Sequence, residues 1–200
     1  MIVLGLTGSI GMGKTTTAAF FREAGFPVWN ADDCVNRLYA EGGAGVPAVA
    51  GLIPGVVRGG RVDRDLLRRA VLNDPGLLRR LEGIIHPLVY LDRMEFVEAC
   101  RRTGERLVVC DVPLLFESGS PELYDRIVVV TASPEIQRER VLARPGMTEA
   151  AFAAILARQL PDEEKRARAD YVIDTSQGMD AARAQVRAVI TDLLGEGWDA

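Results

Sequence analysis

The chain has 200 residues, 48% of them hydrophobic, enough for one domain with room for an insertion and a substantial core. Its formal charge of −4 excludes a surface built to hold nucleic acid by many phosphate contacts. No apolar run approaches the roughly 18 residues of a membrane span, and Met1 to Leu6 is too short, and lacks the basic flank, for a secretory leader.

The run Ile2–Leu6 is apolar and partly β-branched, which predicts a buried strand of the parallel type. Lys14–Ala24 follows as a helix with Gly25 at its end, and Pro27–Trp29 as a weak strand. Asn30, Asp32 or Asp33 then supplies the cap of another helix. From Glu41 to Gly60 the chain is rich in Gly and Pro. Helical periodicity dominates from Asp63 to Arg102, with helices expected at Arg64–Leu72, Gly76–Ile85 and Pro87–Arg101, broken at Asp74-Pro75 and His86-Pro87. Strands are expected at Leu107–Cys110, Arg126–Thr131 and Tyr171–Ile173. Ser133 and Pro134 start a helix running to about Ala143, Thr148-Glu149 starts another, and the last spans Met179–Leu194, closed by Gly195. The charged run Glu163–Arg168 is expected to be a solvated helix face, and the final 196–200 segment either a docked tail or a frayed end. Alternation of strands and helices implies a three-layer α/β core around a parallel sheet. Cys34, Cys100 and Cys110 show no metal or redox spacing, which suits reduced thiols and a cytoplasmic setting.

The segment Gly8-Ser-Ile-Gly11-Met-Gly13-Lys14-Thr15 matches G-x-x-x-x-G-K-[ST] between a predicted strand and a predicted helix, the context that this phosphate-binding loop requires. Glycines let consecutive backbone N–H groups turn toward phosphate oxygens, and the helix N-terminus adds its positive end. Lys14 supplies a movable charge to the β- and γ-phosphates of ATP, Thr15 a hydroxyl to Mg²⁺, and Thr16 a hydroxyl to the α-phosphate. Lys14 and Lys165 are the only lysines among 24 basic residues, so a lysine in this loop marks a place where a compact ammonium is wanted. The loop alone identifies phosphate binding. With no N-K-x-D sequence, a GTPase is disfavoured, leaving a small-molecule kinase.

Leu4-Gly-Leu-Thr-Gly-Ser-Ile-Gly-Met-Gly-Lys-Thr15 resembles the opening of the dephospho-CoA kinases. Asn30-Ala-Asp32, Ile85-His86-Pro87, Val112-Pro-Leu-Leu-Phe-Glu117 and Ala169-Asp-Tyr-Val-Ile-Asp174 follow in that family's order and spacing. The resemblance implies a P-loop kinase fold with a parallel five-stranded sheet. Residues 1–40, 103–137 and 166–200 would form the nucleotide-binding core, 41–102 a helical acceptor-binding insertion, and 138–165 a small helical lid. It implies transfer of the ATP γ-phosphoryl group to the ribose 3′-hydroxyl of dephospho-CoA, with Mg²⁺ and without nucleic acid or membrane, by a monomer or weak homo-oligomer.

The same resemblance implies ATP binding by Gly8, Gly11, Met12, Gly13, Lys14, Thr15 and Thr16. It makes Asp32 the carboxylate that aligns the acceptor hydroxyl, and His86, Leu115 and Glu117 acceptor contacts. Arg140, and secondarily Arg144 on the same helical face, would close on ATP, with Arg158-Gln159 as a further lid pair. Asn30 stands where the family carries a first Asp. Asp111 at a strand end is open to a metal role. The alternatives are another P-loop kinase, of nucleoside-monophosphate or shikimate type, and a noncatalytic ATP-binding switch.

Overall fold

The computed structural model describes residues 1–117 and 120–198. Nine α-helices and seven strands are found among them, in two compact units: residues 1–29 with 100–200, and residues 30–99.

The first unit is built on a five-stranded sheet in the order β2-β5-β1-β6-β7, comprising β1 (Ile2–Thr7), β2 (Val28–Asn30), β5 (Leu107–Asp111), β6 (Arg126–Thr131) and β7 (Tyr171–Asp174). Pairing is parallel between β1 and β5, β1 and β6, and β6 and β7. The central strands are apolar in nearly every position because both sheet faces are covered. Leu4, Leu6, Leu107, Val109, Val128 and Val130 point to one face, where they pack with Phe20 and Phe21 of α1 (Lys14–Glu23) and Val186 and Ile190 of α9 (Met179–Leu194). Period-two alternation sends Ile127 and Val129 to the other face, against Leu115, Phe116 and Tyr124. Sheet order changes direction at β1, which lies between β5 and β6, so the loop leaving β1 emerges at the switch point of the carboxyl edge.

Three further helices, α6 (Pro134–Leu142), α7 (Glu149–Leu156) and α8 (Asp162–Ala167), lie between β6 and β7. Ser133 and Thr148 cap α6 and α7 by accepting from the N–H groups of Ile136 and Ala151. At the carboxyl end, Trp198 donates its indole N–H to Thr191 Oγ1 (2.9 Å) and packs on Phe26, so the chain is docked that far; the remainder of the expected tail, Asp199 and Ala200, lies outside the described residues.

The second unit holds α2 (Ala31–Tyr39), α3 (Gly45–Leu52), the hairpin of β3 (Val57–Arg58) and β4 (Arg61–Val62), α4 (Arg64–Val71) and most of α5 (Pro75–Arg102). Gly59 and Gly60, with φ of 54° and 75°, make the two-residue turn of that hairpin, a strand pair hidden within the Gly/Pro-rich stretch. Asp63 caps α4 by accepting from Asp65 and Leu66 N–H. By packing, α2 belongs with this unit: Arg37 pairs with Asp92 of α5 at 2.7 Å, and Cys34 lies against the same carboxylate.

The expected break at His86-Pro87 does not occur, since α5 runs unbroken through Pro87. Proline removes one hydrogen bond and crowds the carbonyl four residues earlier, which here is that of the side-chain-free Gly83. Against that local cost, Leu81, Ile85, Arg93, Val97 and Cys100 keep one buried stripe in phase across the proline. Among the described residues no helix is long and apolar enough to cross a membrane.

Candidate functional site

The loop between β1 and α1 needs its glycines for distinct reasons. A Cβ at Gly8 would meet the Val130 carbonyl oxygen at 2.6 Å, because the loop starts flush against β6. Gly11 and Gly13 have φ of 79° and 92°, and Gly11 also lies where a Cβ would strike Val141 of α6 at 2.5 Å. Gly13 is the N-cap of α1, with no side chain over the helix end, so the first N–H groups of α1 face outward at the positive end of the helix.

Lys14 opens α1, and its ammonium pairs with Asp111 at the carboxyl end of β5. Asp111 is 1% exposed and Lys14 13%, so the pair forms a largely desolvated floor beside the loop. The apolar strand Leu107–Asp111 puts that carboxylate opposite Leu6, through the β1–β5 register. Thr15 and Thr16 are exposed on the first turn, while the Thr17 hydroxyl turns inward to the Gly13 carbonyl (3.2 Å). Met12 is buried, and its sulfur accepts from Ala132 N–H.

Arg140 of α6 reaches the loop through Thr175. Its two terminal nitrogens donate to Thr175 Oγ1 (2.7 Å) and Thr175 O (2.9 Å), and the Thr175 hydroxyl lies 2.9 Å from the Met12 carbonyl. Arg140 is half-buried, and its guanidinium is held by a residue just past β7 that itself lies against Gly13. Arg144 is not its helical neighbour: α6 ends at Leu142 with Ala143 as C-cap, and Arg144 follows in the turn, exposed. Arg138 pairs instead with Glu149 at the start of α7.

Two expected acceptor contacts have other occupations. Leu115 is 1% exposed and fills the core against Ile127 and Val129, so its surface is spent on packing; Leu114 is the exposed neighbour. Glu117 accepts from Leu160 N–H at 2.9 Å through Oε1, and the same oxygen stands 2.7 Å from Lys165 Nζ. Lys165 is fully buried, so the run 163–168 is not simply a solvated face. Arg158 is exposed, whereas Gln159 accepts from Ile10 N–H (3.1 Å) and Gln137 donates to Ile10 O (2.7 Å). Sequence reasoning missed Thr175, Gln137 and Lys165. Only Lys165 left a signal, as the second lysine in an arginine-rich chain.

In the second unit, Asn30 and neither aspartate caps α2: its side chain accepts from Asp33 N–H at 2.9 Å. Asp32 is thereby left exposed on the first turn, directly after β2, where a carboxylate also suits the helix dipole. His86 is exposed on α5.

A family model described as dephospho-CoA kinase matches residues 2–181. A dephospho-CoA kinase of Mesorhizobium japonicum is 57% identical over 196 residues, covering 98% of each chain. Among solved structures, TT1252 from Thermus thermophilus has a TM-score of 0.82 at 36% identity, over 97% of this chain and 98% of that one. A dephospho-CoA kinase from Campylobacter jejuni has a TM-score of 0.65 at 21% identity, covering 96% of each, a likeness of fold. With a glycine loop and lysine placed as described, a family model matching residues 2–181 and a relative 57% identical over 196 residues, the chain belongs to the dephospho-CoA kinase family.

Proposed function

We propose that the protein transfers the γ-phosphoryl group of ATP to the ribose 3′-hydroxyl of dephospho-CoA, giving CoA in the last step of coenzyme A biosynthesis. One observation carries the reading: Lys14 is seated on Asp111 at the mouth of a glycine loop, within a chain matched by the family model over residues 2–181.

The residues divide the work. The loop from Gly8 through Gly13, with Met12 held on Ala132 and Thr175, offers N–H groups to the phosphates, and Lys14 adds its charge at the β- and γ-positions. Thr16 faces the α-phosphate. Arg140, half-buried beside the loop, meets the charge that spreads over the γ-phosphoryl oxygens, and Arg144 supports it from the following turn. Asp32 aligns the acceptor hydroxyl and accepts its proton, and His86 positions the acceptor. Leu115 and Glu117 act indirectly, by building the segment that follows β5.

The hydroxyl of Thr15 and the carboxylate of Asp111 are hard oxygen donors of the kind Mg²⁺ takes beside nucleotide phosphates. Bound with ATP, Mg²⁺ would neutralise charge on the β- and γ-oxygens. All three cysteines stand as buried thiols outside any disulfide, which supports a cytoplasmic setting.

A panel assay tests the reading. The purified protein is incubated with ATP and Mg²⁺ and, separately, dephospho-CoA, AMP or shikimate, with product mass as readout. Dephospho-CoA alone should gain the mass of one phosphoryl group. A gain on AMP or shikimate instead would move the protein to another acceptor, and ATP turnover indifferent to all three would indicate a switch.

A further inference from the structure

Lys165 is out of place by ordinary rules. It is 0% exposed, it stands on the six-residue α8 between charged neighbours, and Arg serves as the cation nearly everywhere else in the chain. Its ammonium lies 2.7 Å from Glu117 Oε1, yet neither Lys165 Nζ nor Glu117 Oε2 finds an aligned hydrogen-bond partner among the described residues. A buried pair satisfied this incompletely offers little net stability over two apolar side chains, because desolvation offsets the attraction. Its value therefore lies in where it holds things.

What it holds is the connection between α7 and α8. The Glu117 oxygen facing Lys165 also accepts from Leu160 N–H at 2.9 Å. The preceding residue, Gln159, accepts from Ile10 N–H in the phosphate loop at 3.1 Å, while Gln137 of α6 donates to the other end of the Ile10 residue, its carbonyl, at 2.7 Å. Glu117 stands on the segment leaving β5, the strand that carries the Asp111 partner of Lys14. A continuous chain of contacts thus runs from Lys165 through Glu117, Leu160 and Gln159 to Ile10. With Ile10 held at both N–H and C=O, the backbone leading into Gly11, Gly13 and Lys14 has a set direction.

We propose that Lys165 and Glu117 are positioning residues for ATP: the buried ion pair fixes the α7–α8 connection so that Gln159 holds Ile10 and orients the phosphate loop. The inference rests on the nucleotide half of the proposed function and not on the identity of the acceptor.

The test combines calorimetric ATP affinity, kcat and KM for ATP, and thermal midpoint. Glu117→Leu/Lys165→Met, which replaces the pair by apolar side chains, should leave the midpoint within a few degrees of wild type while weakening ATP about tenfold. Gln159→Leu should produce a similar loss, and the triple variant should be no worse than either, because both changes cut one chain. Wild-type ATP affinity and kcat in the pair variant would overturn the proposal. So would losses that multiply in the triple variant, or a loss explained by a lowered midpoint. Should the pair variant not fold, Glu117→Gln/Lys165→Met, which removes both charges together and keeps the volume at position 117, takes its place in the same cycle with Gln159→Leu. Calorimetry needs no acceptor, so failure to phosphorylate dephospho-CoA would leave this test standing.

Discussion

Lys14, Asp32 and Arg140 carry the proposed chemistry, and the first two each have their own expected loss. Lys14→Ala removes the charge that Asp111 holds at the loop and should lower kcat by about 10²-fold or more, as loss of a transition-state donor does. Lys14→Arg should not rescue it, since a planar fork cannot replace a compact ammonium. Asp32→Asn keeps volume but loses proton acceptance, and turnover should fall by roughly 10²–10⁴-fold with ATP affinity retained. Because Asn30 caps α2, this change should leave the helix intact, which circular dichroism checks. Near-wild-type kcat in folded Asp32→Asn would remove the role. Cys34 gives a pH prediction: burial, then the Asp92 charge and hydrogen bond, push its thiol up to about 12. An unfolded thiol ionises near 8.5. The folded value is the higher, so the stability involved is whole below the unfolded value and is lost as pH rises toward the folded one. Urea midpoints should decline from about pH 9 toward 12, and less so in Cys34→Ala. Alkylation of Cys34 near pH 9 should require opening of the second unit.

Helices place these side chains, and two positions test how. Ser133 is the N-cap of α6, the helix that carries both Gln137 and Arg140. Ser133→Ala should cost about 1 kcal/mol, read as a lower urea midpoint, and weaken ATP binding through displacement of Arg140. If stability falls and ATP affinity does not, α6 is held by Thr175 and Gln137 without its cap. Pro87 lies inside α5, and Pro87→Ala restores the missing N–H, so stability should rise by up to about 3 kcal/mol. An unchanged or lower midpoint would mean that the helix already accommodates the ring.

At the scale of the molecule, ligand binding and folding are linked. A ligand that binds only the folded chain at 100 times its Kd adds about 2.7 kcal/mol. ATP with Mg²⁺ should therefore raise the thermal midpoint of the wild type, and Lys14→Ala should abolish most of that rise, read against the variant's own ligand-free midpoint, which falls because the buried Asp111 carboxylate loses its ammonium. A shift of equal size in Lys14→Ala would place ATP elsewhere. The two units differ in what they bear: the sheet unit contains the phosphate loop with Arg140, and the unit of residues 30–99 contains Asp32 and His86.

The α/β class, the five strands, the caps at Ser133 and Thr148, and the phosphate loop follow from the sequence, because each depends on local signals: apolar runs, cap chemistry, a glycine spacing. Family resemblance through five dispersed motifs was also legible from it. Tertiary structure alone decided the rest. Packing overrode the helix-breaking tendency of Pro87, since one in-phase buried stripe outweighs a lost hydrogen bond. Leu115 went to the core, and Glu117 to Lys165, because only the folded chain brings the segment after β5 against α8. Asn30 took the cap that either aspartate could have filled, a choice among three nearby side chains that composition cannot make. The clamp on Ile10 joins residues 127 and 149 positions apart, and no local pattern records a contact of that range.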